Sequence, residues 1–259
     1  MKRFTRAVAI GATASALIAF GTTAAYADAP VDEATISALA AFNPGTTDEE
    51  MLAFIVAAAE RHGVDPEEFA QTSLAEAEAS VEASELSEES DAGPSMRLAG
   101  NLSGMSTTES ASSSQKLGTA QRKGDIFTAP ATTLWIQHGH TGIYYTTGTV
   151  IEAPGIGQVV KKTSASSIYV DPGAHKLYVT TTQAKRNAAA DWAATKLGYG
   201  YNLFFADNKH VDDDVYNCSQ LVWAAYKKKA SLDIDANGGS SVYPVDIRNS
   251  SLTTSYKQF

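Results

Sequence analysis

The chain reads as an α+β protein in which short antiparallel strands come first and helices follow. Three observations carry that reading. From Gly124 onward, β-branched or aromatic runs alternate with Gly, Pro and Asp: "DIFTA", "TLWIQ", "HTGIYY", "TVIEA", "SIYV" and "KLYVTT". After them come two helix-like stretches, near 182–197 and from Cys218. Ahead of them stands an acidic helical region of a different composition.

The N-terminus has the form of an export signal over residues 1–27. Lys2, Arg3 and Arg6 precede the short apolar core "AVAIGATASALIAF", and "AYA" at 25–27 supplies small residues for cleavage, so the mature chain is expected to begin at Asp28. Gly11, Thr13 and Ser15 break the core, and no later stretch is apolar enough to span a bilayer. The protein is expected to be secreted, with no stable membrane span once the signal is removed.

Residues 28–92 form the acidic front. Seventeen Asp and Glu stand there against Arg61 as the one Lys or Arg, a net charge of −16. "TDEE" (47–50) has the capping-box form and Gly63 is placed to end that helix. "DPEE" (65–68) starts another, with Asp65 as cap and Pro66 in the first turn, thinning in apolar content until it frays near residue 90. Residues 93–120, rich in Ser, Gly and Thr, read as a linker or processing site. The front is then a pro-segment or a loosely docked accessory region, and residues 121–259 are the second, larger domain. Residues 116–259 carry a net charge of +4 with dispersed bases, which excludes a nucleic-acid footprint. Lys227–Lys229 belong to the last turn of a helix, where cations suit the dipole.

Within the helix pair, Ala184, Ala188, Trp192 and Leu197 are expected on the inner side of the first, with Gly198 as its stop. Leu221, Val222, Ala225 and Tyr226 are expected inside the second. Cys218, the one cysteine, opens that second helix with Asn217 as its cap. Unpaired N–H groups and the helix dipole favour a thiolate there, and an exported protein with no partner cysteine has little structural use for a thiol.

A nucleophilic thiol needs a base. His62 reads as a helix-end residue, and His175 and His210 lie beside turns, but His138 and His140 share one face of a strand. A three-residue turn at "TTG" (146–148), with Gly148 left-handed, would pair Tyr145 with Thr149 and Gly142 with Glu152. His140, Gly142 and Glu152 then point the same way, and the missing side chain of Gly142 would leave room between the other two. Two imidazoles without further ligands at usual spacings make a poor metal site. Asp125 is the next polar candidate should Glu152 not serve.

"GDIF" (124–127) with "HGHTGIYYTTGTVIEA" (138–153), and "KLGYGYNLFFADNKHVDDDVYNCSQLVWAAYKK" (196–228), resemble segments of NlpC-type cell-wall peptidases. The order is reversed, histidine before cysteine, which is similar to the circularly permuted papain-fold group typified by YiiX and YycO. The resemblance covers about residues 122–250. It implies a permuted papain-like domain of antiparallel sheet and packed helices. It makes Cys218 the nucleophile, His140 the general base, Glu152 the orienting third residue, and Tyr201 a neighbour of the oxyanion site. Asn217 and Gln220 stand where the family usually has Asp and Gly.

The implied protein is a secreted cysteine hydrolase that cleaves an amide, with a cell-wall peptide as substrate and no cofactor. Two alternatives stay open: a thiol acyltransferase or lipid-ester hydrolase of the same fold, and a non-catalytic wall-associated module. "TTLWIQ" and "NLFFAD" could line an acyl site or fill the core. Oligomeric state is not legible.

Overall fold

A computed structural model describes residues 31–43, 45–91, 114–130, 132–133, 136–137 and 139–259. Residues 1–27, expected to be an export signal, most of the Ser-rich segment and His138 lie outside the described residues.

The front forms three helices, α1 (Glu33–Phe42), α2 (Asp48–His62) and α3 (Pro66–Asp91). The capping box is made: Thr47 and Glu50 satisfy each other's backbone N–H, and Gly63 closes α2 in the left-handed region. Met51, Ile55, Ala58 and Ala59 of α2 meet Ile36 and Leu39 of α1 and Phe69 of α3 in a small core. That core also takes Phe204 and Ala206 from far along the chain, and Phe54 stacks on Phe204 at 5.0 Å. The compact unit accordingly runs from Val31 to Phe259.

Ten strands follow: β1 (Gln115–Lys116), β2 (Ile126–Ala129), β3 (Thr132–Thr133), β4 (Ile136–Gln137), β5 (His140–Thr146), β6 (Thr149–Glu152), β7 (Lys161–Ser164), β8 (Tyr169–Val170), β9 (His175–Val179) and β10 (Thr253–Gln258). Six of them make one antiparallel sheet in the order β10-β9-β2-β5-β6-β7, beside the pairs β1-β8 and β3-β4. Packing starts inside the Ser-rich segment, since β1 pairs with β8 and Leu117 is fully buried.

Three helices complete the fold: α4 (Gln183–Ala194), α5 (Cys218–Ala230) and α6 (Pro244–Asn249). Period-2 alternation gives the sheet two apolar faces. Ile126, Ile143 and Ile151 face α4 and α5, with Trp192, Leu221, Val222 and Tyr226 in the same core. Phe127, Tyr144 and Val150 face the other way, onto Leu117, Ala165, Val170 and Ala174.

Helix α4 is shorter than its sequence predicts. It ends at Ala194, where the Thr195 hydroxyl donates to the Trp192 carbonyl, so Leu197 lies outside the helix and is exposed. Its buried face is Arg186, Ala189, Ala190, Trp192 and Ala193, with Ala184 turned outward. Strands β7 and β10 carry too little apolar sequence to be predicted; both are edge strands with mostly exposed side chains.

Gly124 shows how closely strand and helix layers meet. Its φ is +86°, and a Cβ there would stand 2.5 Å from the Arg186 carbonyl oxygen. Its own carbonyl accepts the Tyr226 hydroxyl of α5. Gly124→Ala should therefore cost about 2–4 kcal/mol, combining left-handed strain with overpacking. Urea melts should show a lowered midpoint, and an unchanged one would mean that the layers can separate without loss.

Candidate active site

Cys218 is the first residue of α5. Asn217 caps the helix, its Oδ1 accepting the Gln220 N–H at 2.9 Å, while Gln220 Oε1 accepts the Asn217 N–H. The same Oδ1 also accepts from the Ser219 hydroxyl and from Asn208 Nδ2. A neutral amide thus takes three donors one residue before the thiol, without adding a negative charge beside it. Cys218 is 2% exposed.

The sheet brings the partners. Ala129 pairs with His140 and Glu152 with Lys161, so one end of the sheet gathers the end of β2, the start of β5, the end of β6 and the start of β7. His140 Nε2 lies 2.9 Å from Glu152 Oε2, and Glu152 Oε1 accepts the Thr163 hydroxyl. With Nε2 engaged, the other ring nitrogen is the one left for the Cys218 thiol, which lies close enough to raise the His140 pKa. Cysteine, histidine and glutamate are therefore brought together in one chain of contacts.

The turn that arranges this differs from the sequence expectation in its details. Thr146 pairs with Thr149, and the ladder is interrupted between Tyr144 and Thr146, so Tyr145 is the bulged residue. Gly148 is not left-handed. The bulge absorbs the same extra residue that the longer turn would have absorbed, so Ile143 still faces Ile151, and one further step in that register would set Gly142 opposite Glu152. Gly142 does not leave a gap. A Cβ there would meet Val150 Cγ1 at 2.7 Å and Phe127 Cε1 at 2.8 Å, and the Phe127 ring packs edge-on against His140.

Electrostatics follow from these contacts. Burial alone would lower the His140 pKa, but hydrogen bonds to Cys218 and Glu152, and the negative charge on both, raise it to about 10. Burial would raise the Glu152 carboxyl, yet the His140 and Thr163 hydrogen bonds and the nearby Lys161 hold it below the ordinary carboxylate value. Tyr201 is raised by its own burial and by the Cys218 charge, which puts its ring near the thiol. Asp125 is occupied elsewhere: it accepts from the Arg122 N–H and the Tyr256 hydroxyl and faces Arg186 at 4.0 Å.

Several residues of the site carry no sequence signal. Thr163 is found only through the β6–β7 register. Gln220 is fully buried, its Oε1 also accepting from Asn202 at 2.8 Å and its Nε2 donating to the His210 carbonyl and to Asp213. It ties the 202–213 loop to the start of α5. His62 and His210 each place Nε2 3.0 Å from Asp207 Oδ1, and Arg61 pairs with the other oxygen. Phe204 and Phe205 are buried against the front helices, and Phe204 also lines a cavity with Phe54, Arg61 and His210.

No family model matches the chain. The uncharacterized protein YycO of Bacillus subtilis (strain 168) is 34% identical over 218 residues, which is 83% of each chain. The chain belongs to the YycO family. A match of that length is longer than residues 121–259, so the likeness to YycO takes in part of the helical front. A solved structure of yiiX from Escherichia coli O157:H7, described as a metalloprotein, superposes with a TM-score of 0.42 at 17% identity, over 53% of this chain and 97% of that one. The superposition is too loose to carry an argument.

The raised His140 value has a consequence for stability. The folded pKa lies above the unfolded value, so the stabilisation is complete below about pH 6.5 and is lost as pH rises through about 10. In urea melts, wild type should lose stability relative to His140→Gln between pH 6.5 and 10. A pH-independent difference would mean that His140 is not held as an imidazolium.

Proposed function

We propose that this YycO-family protein is a thiol hydrolase that cleaves an amide by acyl transfer. The observation that carries the reading is the contact chain Cys218–His140–Glu152, with the thiol at the first position of a helix. In this reading the scaffold is a circularly permuted papain-like domain. Support comes from the order of the motifs, histidine before cysteine, and from a cysteine-led helix packed on an antiparallel sheet that supplies the histidine. The export signal and the resemblance to wall peptidases favour a cell-wall peptide as substrate, met outside the cell.

The chemistry balances with the groups present. The Cys218 thiolate attacks the carbonyl carbon, forming a C–S bond and an oxyanion, which the backbone N–H of Cys218 stabilises in this reading. The oxyanion collapses, the C–N bond breaks, and the leaving nitrogen takes the proton held by His140. A water then attacks the thioester, giving one proton to His140 as the C–S bond breaks and the acid is released. Glu152 keeps Nε2 of His140 engaged and stabilises the imidazolium throughout. Thr163 fixes the second oxygen of Glu152.

A turnover screen of muropeptides, acyl-peptides and phospholipids, with Cys218→Ala as control, tests the reading. Amide cleavage lost in Cys218→Ala is expected. Turnover confined to phospholipids or acyl transfer would move the assignment to a lipid-directed enzyme, and an iodoacetamide-inert Cys218 at pH 6 would sink catalysis and leave a binding module. Glu152→Gln should fold normally and turn over ~10- to 10⁴-fold more slowly, the range for orienting and acid–base groups. Combined with His140→Ala it should add little, because groups that act as a unit are non-additive. Fully multiplicative losses would place Glu152 outside the catalytic chain.

A further inference from the structure

Segment 239–244 touches both sides of the candidate catalytic pair. The Val242 carbonyl accepts the hydroxyl of Ser219, the residue after Cys218, at 2.6 Å. Two positions further, Pro244 begins α6 beside Gly139, the residue before His140; a Cβ on Gly139 would stand 3.2 Å from Pro244 Cβ. Between them, the Tyr243 ring stacks on Phe205 at 5.7 Å and shares an apolar cluster with Tyr201. Displacing this strap would move a neighbour of the thiol and a neighbour of the imidazole together.

The strap is fastened from the acidic front. Glu76 of α3 accepts both the Ser241 hydroxyl and, at 3.3 Å, the Ser241 N–H. Ser241 is fully buried. Gly239 is required for this approach, since a Cβ there would collide with the Glu76 carboxylate. Ala77, the next residue of α3, is buried in the cluster of Phe205, Tyr243 and Val245. Asn208 grips Val242 from the other side, donating to its carbonyl at 2.9 Å and accepting its N–H at 2.8 Å.

We propose that Glu76 is a positioning residue of the active site, acting through the 241–244 strap on the separation of Cys218 and His140, so that the helical front is a working part of the enzyme and not a removable cover. The inference rests on the thiol-hydrolase reading. Two further contacts agree with it. Asn43 at the end of α1 accepts the Phe205 N–H at 3.0 Å, and Arg61 and His62 at the end of α2 hold Asp207, the neighbour of Asn208. The carboxylates around the strap are close enough to repel. Asp246 of α6 is pushed up to about 7 by burial, with Asp235 and Glu76 adding to the rise and Lys209 opposing it. The two Ser241 hydrogen bonds hold the Glu76 carboxylate beside the strap.

The test is the second-order rate of iodoacetamide alkylation of Cys218 in the full chain at pH 7, with a thermal melt for each variant. Glu76→Ala should slow alkylation about tenfold, within the range that small misplacements cost. Glu76→Gln keeps an acceptor for Ser241 and should return the rate to within about threefold of wild type. Glu78→Ala, an exposed α3 position, removes the same charge and should leave the rate unchanged. Ser241→Ala should slow the reaction, and it decides the matter if Glu76→Ala does not fold. A wild-type rate in folded Glu76→Ala, or in Ser241→Ala, overturns the proposal, and a faster rate in either would make the front a cover. If His140→Ala also reacts as wild type, the hydrolase reading itself falls; if His140→Ala is slow while both strap variants are not, only the positioning role falls.

Discussion

Burying the Glu152 carboxylate is the constraint on which the site depends. A carboxylate that is 5% exposed is tolerable only if both oxygens are engaged. One takes His140 from β5 and the other takes Thr163 from β7, so three adjacent strands must hold one register. A one-residue slip of β6 would turn Glu152 to the opposite face, unpairing a buried charge and removing the imidazole's partner in one step. The bulge at Tyr145 is therefore part of what holds the candidate site together, although it lies at the far end of the hairpin.

The other half of the site is set by capping. A helix start leaves N–H groups without partners, and those at the head of α5 are shared between a side chain and the space beside the thiol. Asn217 takes the Gln220 N–H, and Gln220 uses its amide to draw in Asn202, His210 and Asp213. A glycine at 220, as the resembled peptidases carry, would leave that loop untied. An aspartate at 217 would put a negative charge next to the thiol. Asn217 and Gln220 thus work together: a neutral cap, and an amide that organises the loop following Tyr201.

Much of this was legible in the sequence because it is local. The α2 capping box, the cap and first residue of α5, and the apolar alternation of β2, β5 and β6 each follow from a few neighbouring residues. The alignment of His140 with Glu152 was also legible, though through a turn whose form was different: only the parity of the inserted residue matters, and a bulge supplies it as well as a longer loop does. What could not be read depends on contacts across long stretches of chain. Thr163 sits in "KKTS", a polar edge strand defined by its neighbour, and Glu76 meets Ser241 across 165 positions. The apolar side of α4 was misjudged because Arg186 is buried there, held near Asp125 and over the Tyr178 ring.

The charge imbalance between front and domain invites an electrostatic account of their contact, yet the contacts run against it. The front carries a net −16, but α2 meets the loop through Arg61 and His62, on an acidic residue, Asp207. Glu76, a carboxylate of α3 that bonds to the strap, takes neutral donors and lies near Asp246. Most acidic residues of the front whose side chains are described face solvent, where charges more than about 8 Å apart are screened at physiological salt. Phe54 on Phe204 and Ala77 in the Tyr243 cluster supply apolar burial that salt does not screen. A front held by shape, buried aromatics and a few directed hydrogen bonds is a fixed part of the fold, and fixed parts are what a strap that sets the distance between a thiol and an imidazole requires.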